Sequence, residues 1–336
     1  MSRMIDEVET LVKKDKTVMN QSTISEEVRL SNEALKNRVI AYWRAHPELN
    51  SVELPIANLA YHVFEKPIKD YNCFYTLSTG LILQGSKRVN VDGKRWEYGR
   101  CTWISTAADT PSSYEILEAS PESPHVACAL KLNPLVISDL VQNQPEIVQR
   151  HGKADFQHTS RIFTVSTATL DIIDCFMRLF RLLEKPEQIS ARAPLIEREI
   201  TYLLLMSPQG EGLTHFFTQN SIANRINKTI NWIRNNAGKP FDIGMLAEMA
   251  HMTRSTYYRH FKTITKLSPL QYHKRQCLYQ AQHLMLTKGY SATQAAFEVG
   301  YASPNQFSRE YKRAFGMPPR QYVSEQSKQA APIGLS

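Results

Sequence analysis

Residues Arg254–Tyr272 read RSTYYRHFKTITKLSPLQY, and residues Pro304–Tyr322 read PNQFSREYKRAFGMPPRQY. Aligned without a gap, the two stretches share Arg259/Arg309, Lys262/Lys312, Pro269/Pro319, Gln271/Gln321 and Tyr272/Tyr322. Tyr257/Phe307, Phe261/Tyr311 and Leu267/Met317 are chemically alike. Average residue usage would give about one identity over such a length, so the chain carries an internal repeat. Two units are too few for a solenoid. The surroundings of each copy predict the same pieces. Asp242 caps a short helix through Met249, Thr253 caps a second through Thr265, and Pro269 opens a long helix over 269–286. Then Ser291 and Gln294 form a capping box for a short helix through Val299, Gly300 ends it, and Ser303-Pro304 starts another through Phe315. Short helix, tight turn, longer helix is a helix-turn-helix, and the chain contains two.

The second helix of each unit divides into two faces. Tyr257, Phe261 and Ile264 share one side of the first, and Phe307, Tyr311 and Phe315 share one side of the second. Arg254, Ser255, Tyr258, Arg259 and Lys262 project from the other side of the first. Asn305, Gln306, Ser308, Arg309 and Lys312 do so from the second. These side chains suit DNA: Arg pairs with guanine, Asn or Gln with adenine, and Lys with phosphate. A plain solvated surface is the alternative, and two units in register, both basic, argue against it.

Charge is placed accordingly. From Asn220 onward there are 16 Lys+Arg against 5 Asp+Glu, a net of +11, which leaves −3 for the first 219 residues of a chain with net charge +8. That asymmetry points to a polyanion as partner of the C-terminal part. The N-terminus lacks the apolar core of a signal peptide, and no stretch has the apolar length of a membrane span. The five cysteines (Cys73, Cys101, Cys128, Cys175 and Cys277) are odd in number and widely spaced, with no C-x-x-C. A cytoplasmic location with reduced thiols is the expectation.

The 336 residues suggest about two domains. Short strands are expected from Ser51 to Leu132, with Asp92-Gly93 as a type I′ hairpin turn, in a sandwich or small barrel. Asn133 caps a helix beginning PLVISDLVQNQ. Two amphipathic helices follow, one with Leu170, Ile173, Met177 and Phe180 on a face, the other with Ile196, Ile200, Leu203 and Leu204. SPQGEGLTHF breaks the pattern and reads as a boundary.

The segment VGYASPNQFSREYKRAFGMPPRQY, preceded by LAEMAHMTRSTYYRHFKTITKLSPLQY, resembles the DNA-binding domain of AraC/XylS-type transcription regulators. The resemblance covers about a hundred residues. It implies two helix-turn-helix units on a linker helix, with recognition helices in successive major grooves, about 34 Å apart per helical turn. It marks Ser255, Tyr258, Arg259, Asn305, Gln306 and Arg309 as base-reading positions. The family often has Arg where this chain has Cys277 and Gln282, and usually where it has Val323. LILQGSKRVNVDGKRWEYGRCTWIST, ILEASPESPHVACALKL and APLIEREITYLLLMSPQGEGL resemble, less sharply, the effector domain of an AraC-type subfamily. The whole is then an α+β chain: a cupin-like β-barrel with flanking helices, followed by an all-α domain. The expected division is a polar arm over 1–30, an effector-binding and dimerisation domain over 31–207, and a linker over 208–221. The DNA-binding domain spans 222–324, with units at 242–265 and 291–315, before a tail over 325–336. Partners implied are double-stranded DNA, a small-molecule effector, RNA polymerase and a second copy of the chain.

No catalytic motif is present, and no cofactor is indicated. His62 and His125 fall in the β region without the paired spacing of a metal site. An enzyme tethered to DNA and a non-specific nucleic-acid binder are the competing readings. Arg100 beside Cys101 raises the idea of a reactive thiolate, against the favoured reading of a small buried residue.

Overall fold

A computed structural model describes residues 17–18, 24–46, 54–91, 94–151, 162–218 and 221–329. The N-terminal part is a sandwich of two five-stranded sheets. Its strands are β1 (Thr17–Val18), β2 (Leu59–Phe64), β3 (Ile68–Tyr75), β4 (Ser78–Gln84), β5 (Ser86–Val91), β6 (Lys94–Gly99), β7 (Thr102–Thr106), β8 (Thr110–Glu118), β9 (His125–Lys131) and β10 (Phe163–Thr167). One sheet runs β1-β6-β5-β8-β3 and the other β10-β7-β4-β9-β2. Every pairing but the short β1–β6 ladder is antiparallel. The sheets stay open: among the described residues no ladder joins one to the other. Val91 stands opposite Lys94 in the β5–β6 hairpin, which leaves room for a two-residue turn. The Asp92-Gly93 turn itself lies outside the described residues.

Helix α1 (Glu26–Ala45) lies against the second sheet and starts inside the segment expected to be a polar arm. Val28, Asn32, Leu35 and Val39 form its buried stripe, and the Asn32 amide donates to the Leu83 carbonyl at 2.9 Å. The rest of the expected arm, apart from Thr17–Val18 and Ile24–Ser25, lies outside the described residues. After β9 come α2 (Pro134–Asn143) and α3 (Pro145–His151), and after β10 come α4 (Leu170–Leu182) and α5 (Pro186–Met206). Asn133 caps α2 as expected, accepting from Leu135 N at 2.9 Å. The faces of α4 and α5 are buried: Ile172, Ile173, Phe176 and Phe180 on one, Ile196, Ile200 and Leu204 on the other. Much of each face is thus spent on the chain's own core.

The segment 208–221, expected to be a linker, contains α6 (Gly210–Phe217), which buries Leu213, Phe216 and Phe217. Its glycines were misleading. A Cβ at Gly210 would fall 2.5 Å from the Leu204 carbonyl oxygen, so the residue permits close packing rather than flexibility.

The C-terminal part is all helical: α7 (Ile222–Asn235), α8 (Ile243–Met249), α9 (Arg254–Thr265), α10 (Pro269–Thr287), α11 (Ala292–Glu298), α12 (Pro304–Phe315) and α13 (Pro319–Gln329). Its caps follow the sequence closely. Asp242, Thr253, Ser268, Ser291 and Ser303 each accept a backbone N–H at a helix start. Helix α13 occupies the place in the second copy that α10 occupies in the first, and it runs into the expected tail.

Candidate nucleic-acid interface and ligand cavity

Helices α9 and α12 are built alike. Tyr257, Phe261 and Ile264 are fully buried on one side of α9, as are Phe307 and Tyr311 on α12. Ring centroids of Tyr257 and Phe261 are 5.5 Å apart, and those of Phe307 and Tyr311 are also 5.5 Å apart. This aromatic anchoring leaves the opposite sides to solvent. Ser255, Tyr258, Arg259 and Lys262 are exposed on α9; Asn305, Arg309 and Lys312 are exposed on α12. Among the described residues none of Arg254, Arg259, Lys262, Arg309 and Lys312 takes part in an ion pair. A row of unneutralised cations on exposed helix faces is a surface for phosphate.

Three of the expected residues are placed less simply. Arg254 is exposed, but its guanidinium lies across the start of α8, 2.7 Å from where a Gly244 Cβ would stand. Gln306 donates its amide to Glu310 at 3.1 Å, and Glu310 also pairs with Lys274 of α10 at 2.9 Å. Ser308 is half-buried. The positions where the family often has Arg turn inward. Cys277 is buried and its thiol donates to the Ala237 carbonyl at 3.0 Å, Gln282 is buried, and Val323 packs on the core.

Helix α10 joins the two units and docks on the sandwich. Tyr272 donates its hydroxyl to the Asp109 carbonyl at 2.9 Å. The Asp109 carboxylate accepts from Arg234 of α7 at 3.1 Å and from Leu77 N at 3.2 Å. Burial pushes the Asp109 carboxyl above its ordinary value, and Arg234 opposes the shift. Phe74 of β3 packs edge-on against two tyrosines of α10, Tyr272 at 5.9 Å and Tyr279 at 5.0 Å between centroids. Tyr272 in turn packs on Phe261 at 5.4 Å, and Tyr279 on Phe315 at 5.0 Å. One side chain of the sandwich therefore reaches the aromatic core of both units.

Phe74 also lines a cavity inside the sandwich, with Leu81, Ile82 and Ile104 among its apolar walls and His62, Lys87 and His125 among its polar groups. The cavity is small, about 50 Å³, which is room for a few waters. Desolvation, then the charge of Lys87, lower both His62 and His125 to about 3, so both rings are neutral at pH 7. Desolvation also pulls the Lys87 ammonium down to about 8. In the sequence His62 and His125 stand out only as candidate metal ligands, and Lys87 is the less obvious member of the lining. A signal was there: Lys87 alternates with Val89 and Val91, which makes it the charged residue on the apolar face of β5.

Cys101 is buried with a positive φ of 59°, and burial raises its thiol against the pull of Arg100 and Arg29. The reactive-thiolate idea fails on that geometry.

An open two-sheet sandwich followed by paired helix-turn-helix units defines a class, and comparison with known proteins agrees. Residues 55–212 match the family of AraC-type transcriptional regulator N-termini, and residues 246–325 match a helix-turn-helix domain family. The chain belongs to the AraC-type regulators. It is 30% identical over 144 residues to the HTH-type transcriptional activator RhaS of Escherichia fergusonii. That alignment covers 42% of this chain and 51% of the relative, so the chain spans about half the length of the curated protein it matches. The fold resembles ToxT of Vibrio cholerae. One ToxT structure, bound to (E)-4-(8-methylnaphthalen-1-yl)but-3-enoic acid, aligns with a TM-score of 0.58 at 10% identity, over 80% of this chain and 98% of ToxT. Another, bound to an unsaturated fatty acid, aligns with a TM-score of 0.55 at 12% identity, over 79% and 93%. Among the described residues no helix is long and apolar enough to cross a membrane.

Proposed function

We propose that this protein is an effector-responsive, sequence-specific transcription activator that reads two successive major grooves with α9 and α12. The observation that carries the reading is the pair of matching exposed faces, each with unpaired Arg and Lys over a buried aromatic pair. Arg259 and Arg309 are the main base-reading cations, with Ser255, Tyr258 and Asn305 beside them. Lys262 and Lys312 hold phosphate. Arg254, Gln306 and Ser308 contribute from the edges of the two faces. The effector occupies the sandwich cavity, and Phe74 conveys its presence to α10. The ligands of ToxT support such a cavity role on a shared fold. A second copy of the chain and RNA polymerase complete the set of proposed partners, and domain limits near residues 207 and 222 are part of the same proposal.

Binding to DNA from the promoters of its own and neighbouring genes, across a salt series, tests the reading. The wild type is expected to prefer one fragment over random DNA by about 10³-fold or more. Arg309→Ala and Asn305→Ala should each remove about 1–3 kcal/mol of that preference. If every sequence binds alike and the substitutions alter only the salt slope, the domain is a tether and the regulator reading is lost.

A further inference from the structure

The second recognition helix carries a carboxylate among its cations. Glu310 follows Arg309 on α12 and precedes Lys312 and Arg313. A negative charge there works against phosphate. It is nonetheless held from three directions. Lys274 of α10 donates to its Oε1 at 2.9 Å, and Tyr301, from the turn before α12, donates its hydroxyl to Oε2 at 3.0 Å. Gln306 donates its side-chain Nε2 to Oε1 at 3.1 Å. Tyr301 is itself fixed edge-on against buried Phe307, with 5.3 Å between centroids. Burial opposes the Glu310 charge, but the bonds from Lys274, Gln306 and Tyr301 outweigh it and hold the carboxyl below its ordinary value.

The consequence falls on Gln306, which is exposed on the reading face. An ionised carboxylate can only accept. Gln306 must therefore turn its nitrogen toward Glu310, which leaves its Oε1 directed away as an acceptor. A glutamine free to turn over has no such bias. The first unit has no copy of this arrangement, since Thr256 and His260 stand at the places of Gln306 and Glu310.

We propose that Glu310 is a positioning residue that fixes the Gln306 carboxamide to read an exocyclic amino group in the major groove, adenine N6 or cytosine N4. The proposal deepens the groove-reading function above and rests on it. Guanine O6 and thymine O4 are acceptors, so they would face the Gln306 oxygen with no proton between. Gln306 keeps one unused N–H, which adenine can accept through N7 and cytosine cannot, so adenine ranks above cytosine.

Binding of the full chain to the promoter fragment it prefers, with each base pair changed in turn to the other three, tests the proposal. One position should favour adenine over guanine or thymine by about 5- to 100-fold, with cytosine between. Gln306→Ala, an exposed substitution, should flatten that position alone. Glu310→Gln lets Gln306 present either end, and should remove most of the same preference. Its affinity for random DNA should hold or rise, because a negative charge is gone. Added to Gln306→Ala, Glu310→Gln should change the preference no further. Tyr301→Phe, which frees one carboxylate oxygen, should lower the preference by a smaller factor. An unchanged preference there sinks the role of Glu310, even where Glu310→Gln fails to fold. A Gln306-dependent preference for guanine or thymine would overturn the orientation. Loss from Glu310→Gln that is the same without Gln306, or spread over all positions, would make Glu310 merely structural and overturn the proposal. If several positions matter but none answers to Gln306, this proposal alone falls. If no base pair matters, the groove-reading function falls with it.

Discussion

The two helix-turn-helix units follow one backbone path but lock it with different residues. At the turn between the helices a left-handed residue is needed, and it is His251 in the first unit (φ 52°) and Gly300 in the second (φ 85°). After the recognition helix the same need is met by Lys266 (φ 58°) and Gly316 (φ 80°). The hydrogen bonds are the same despite this: Met252 N donates to the Ala247 carbonyl, and Tyr301 N to the Ala296 carbonyl, each at 2.9 Å. The second turn even holds one residue more, five between α11 and α12 against four between α8 and α9. The difference teaches that the buried aromatic pair fixes the unit. The turn residues set only how much local strain accompanies it. The first unit tolerates two strained positions and is tied to the sandwich through Tyr272 and Arg234.

The sharpest way to break this equivalence is to remove its shared anchor. Phe261→Ala and its counterpart Tyr311→Ala should each cost about 3–5 kcal/mol in urea unfolding, since both rings are fully buried. A large effect on one side only would show that the units do not rest on the same anchor. Next come the readers. Arg259→Ala and Arg309→Ala should each weaken specific DNA binding by about 1–3 kcal/mol, and each should relax preference at a different half of the site. Loss of one half alone would make the units unequal readers. The turn positions should then separate the units. Gly316→Ala places a side chain at φ 80° and should cost about 1–2 kcal/mol, while Lys266→Gly should gain up to about 1 kcal/mol. Equal and opposite results are not required, but opposite signs are. The smallest effect belongs to the docking contact. Tyr272→Phe, by thermal melting of the full chain, should lose about 0.5–1.5 kcal/mol through the lost bond to the Asp109 carbonyl.

Much of the helical domain was legible because its signals are local. Ser291 with Gln294, Ser303 before Pro304, and Asp242 before an apolar run each satisfy backbone groups within a few residues. Extending the repeat by its own register also reaches α13, since Pro319, Gln321 and Tyr322 copy Pro269, Gln271 and Tyr272. Helix α1 was readable in principle from Val28, Leu35 and Val39, but its buried stripe is narrow and includes Asn32. The glycines of α6 looked like a boundary because a glycine required by a neighbouring carbonyl cannot be told, in sequence, from one required by a turn. The cavity was least legible. Its residues come from β2, β3, β4, β5, β7, β8 and β9, and only strand pairing across long separations brings them together. The exposed reading faces follow from periodicity, and the return of Gln306 to Glu310 is a local pair one turn on, but the contact of Glu310 with Lys274 depends on α10 lying alongside.

The five buried cysteines have a practical consequence for watching this molecule move. Cys73 and Cys128 border the cavity, Cys277 sits inside α10, Cys175 lies in α4 and Cys101 just before β7. Burial holds Cys73, Cys175 and Cys277 at about 12 and raises the other two as well, so none presents a reactive thiolate while closed. A thiol-specific reagent can then react only as fast as each neighbourhood opens. The native chain thus contains five unlabelled clocks, two beside the cavity and one in the helix between the DNA readers. Comparing their rates before and after a ligand binds would time the passage of the signal from sandwich to helices.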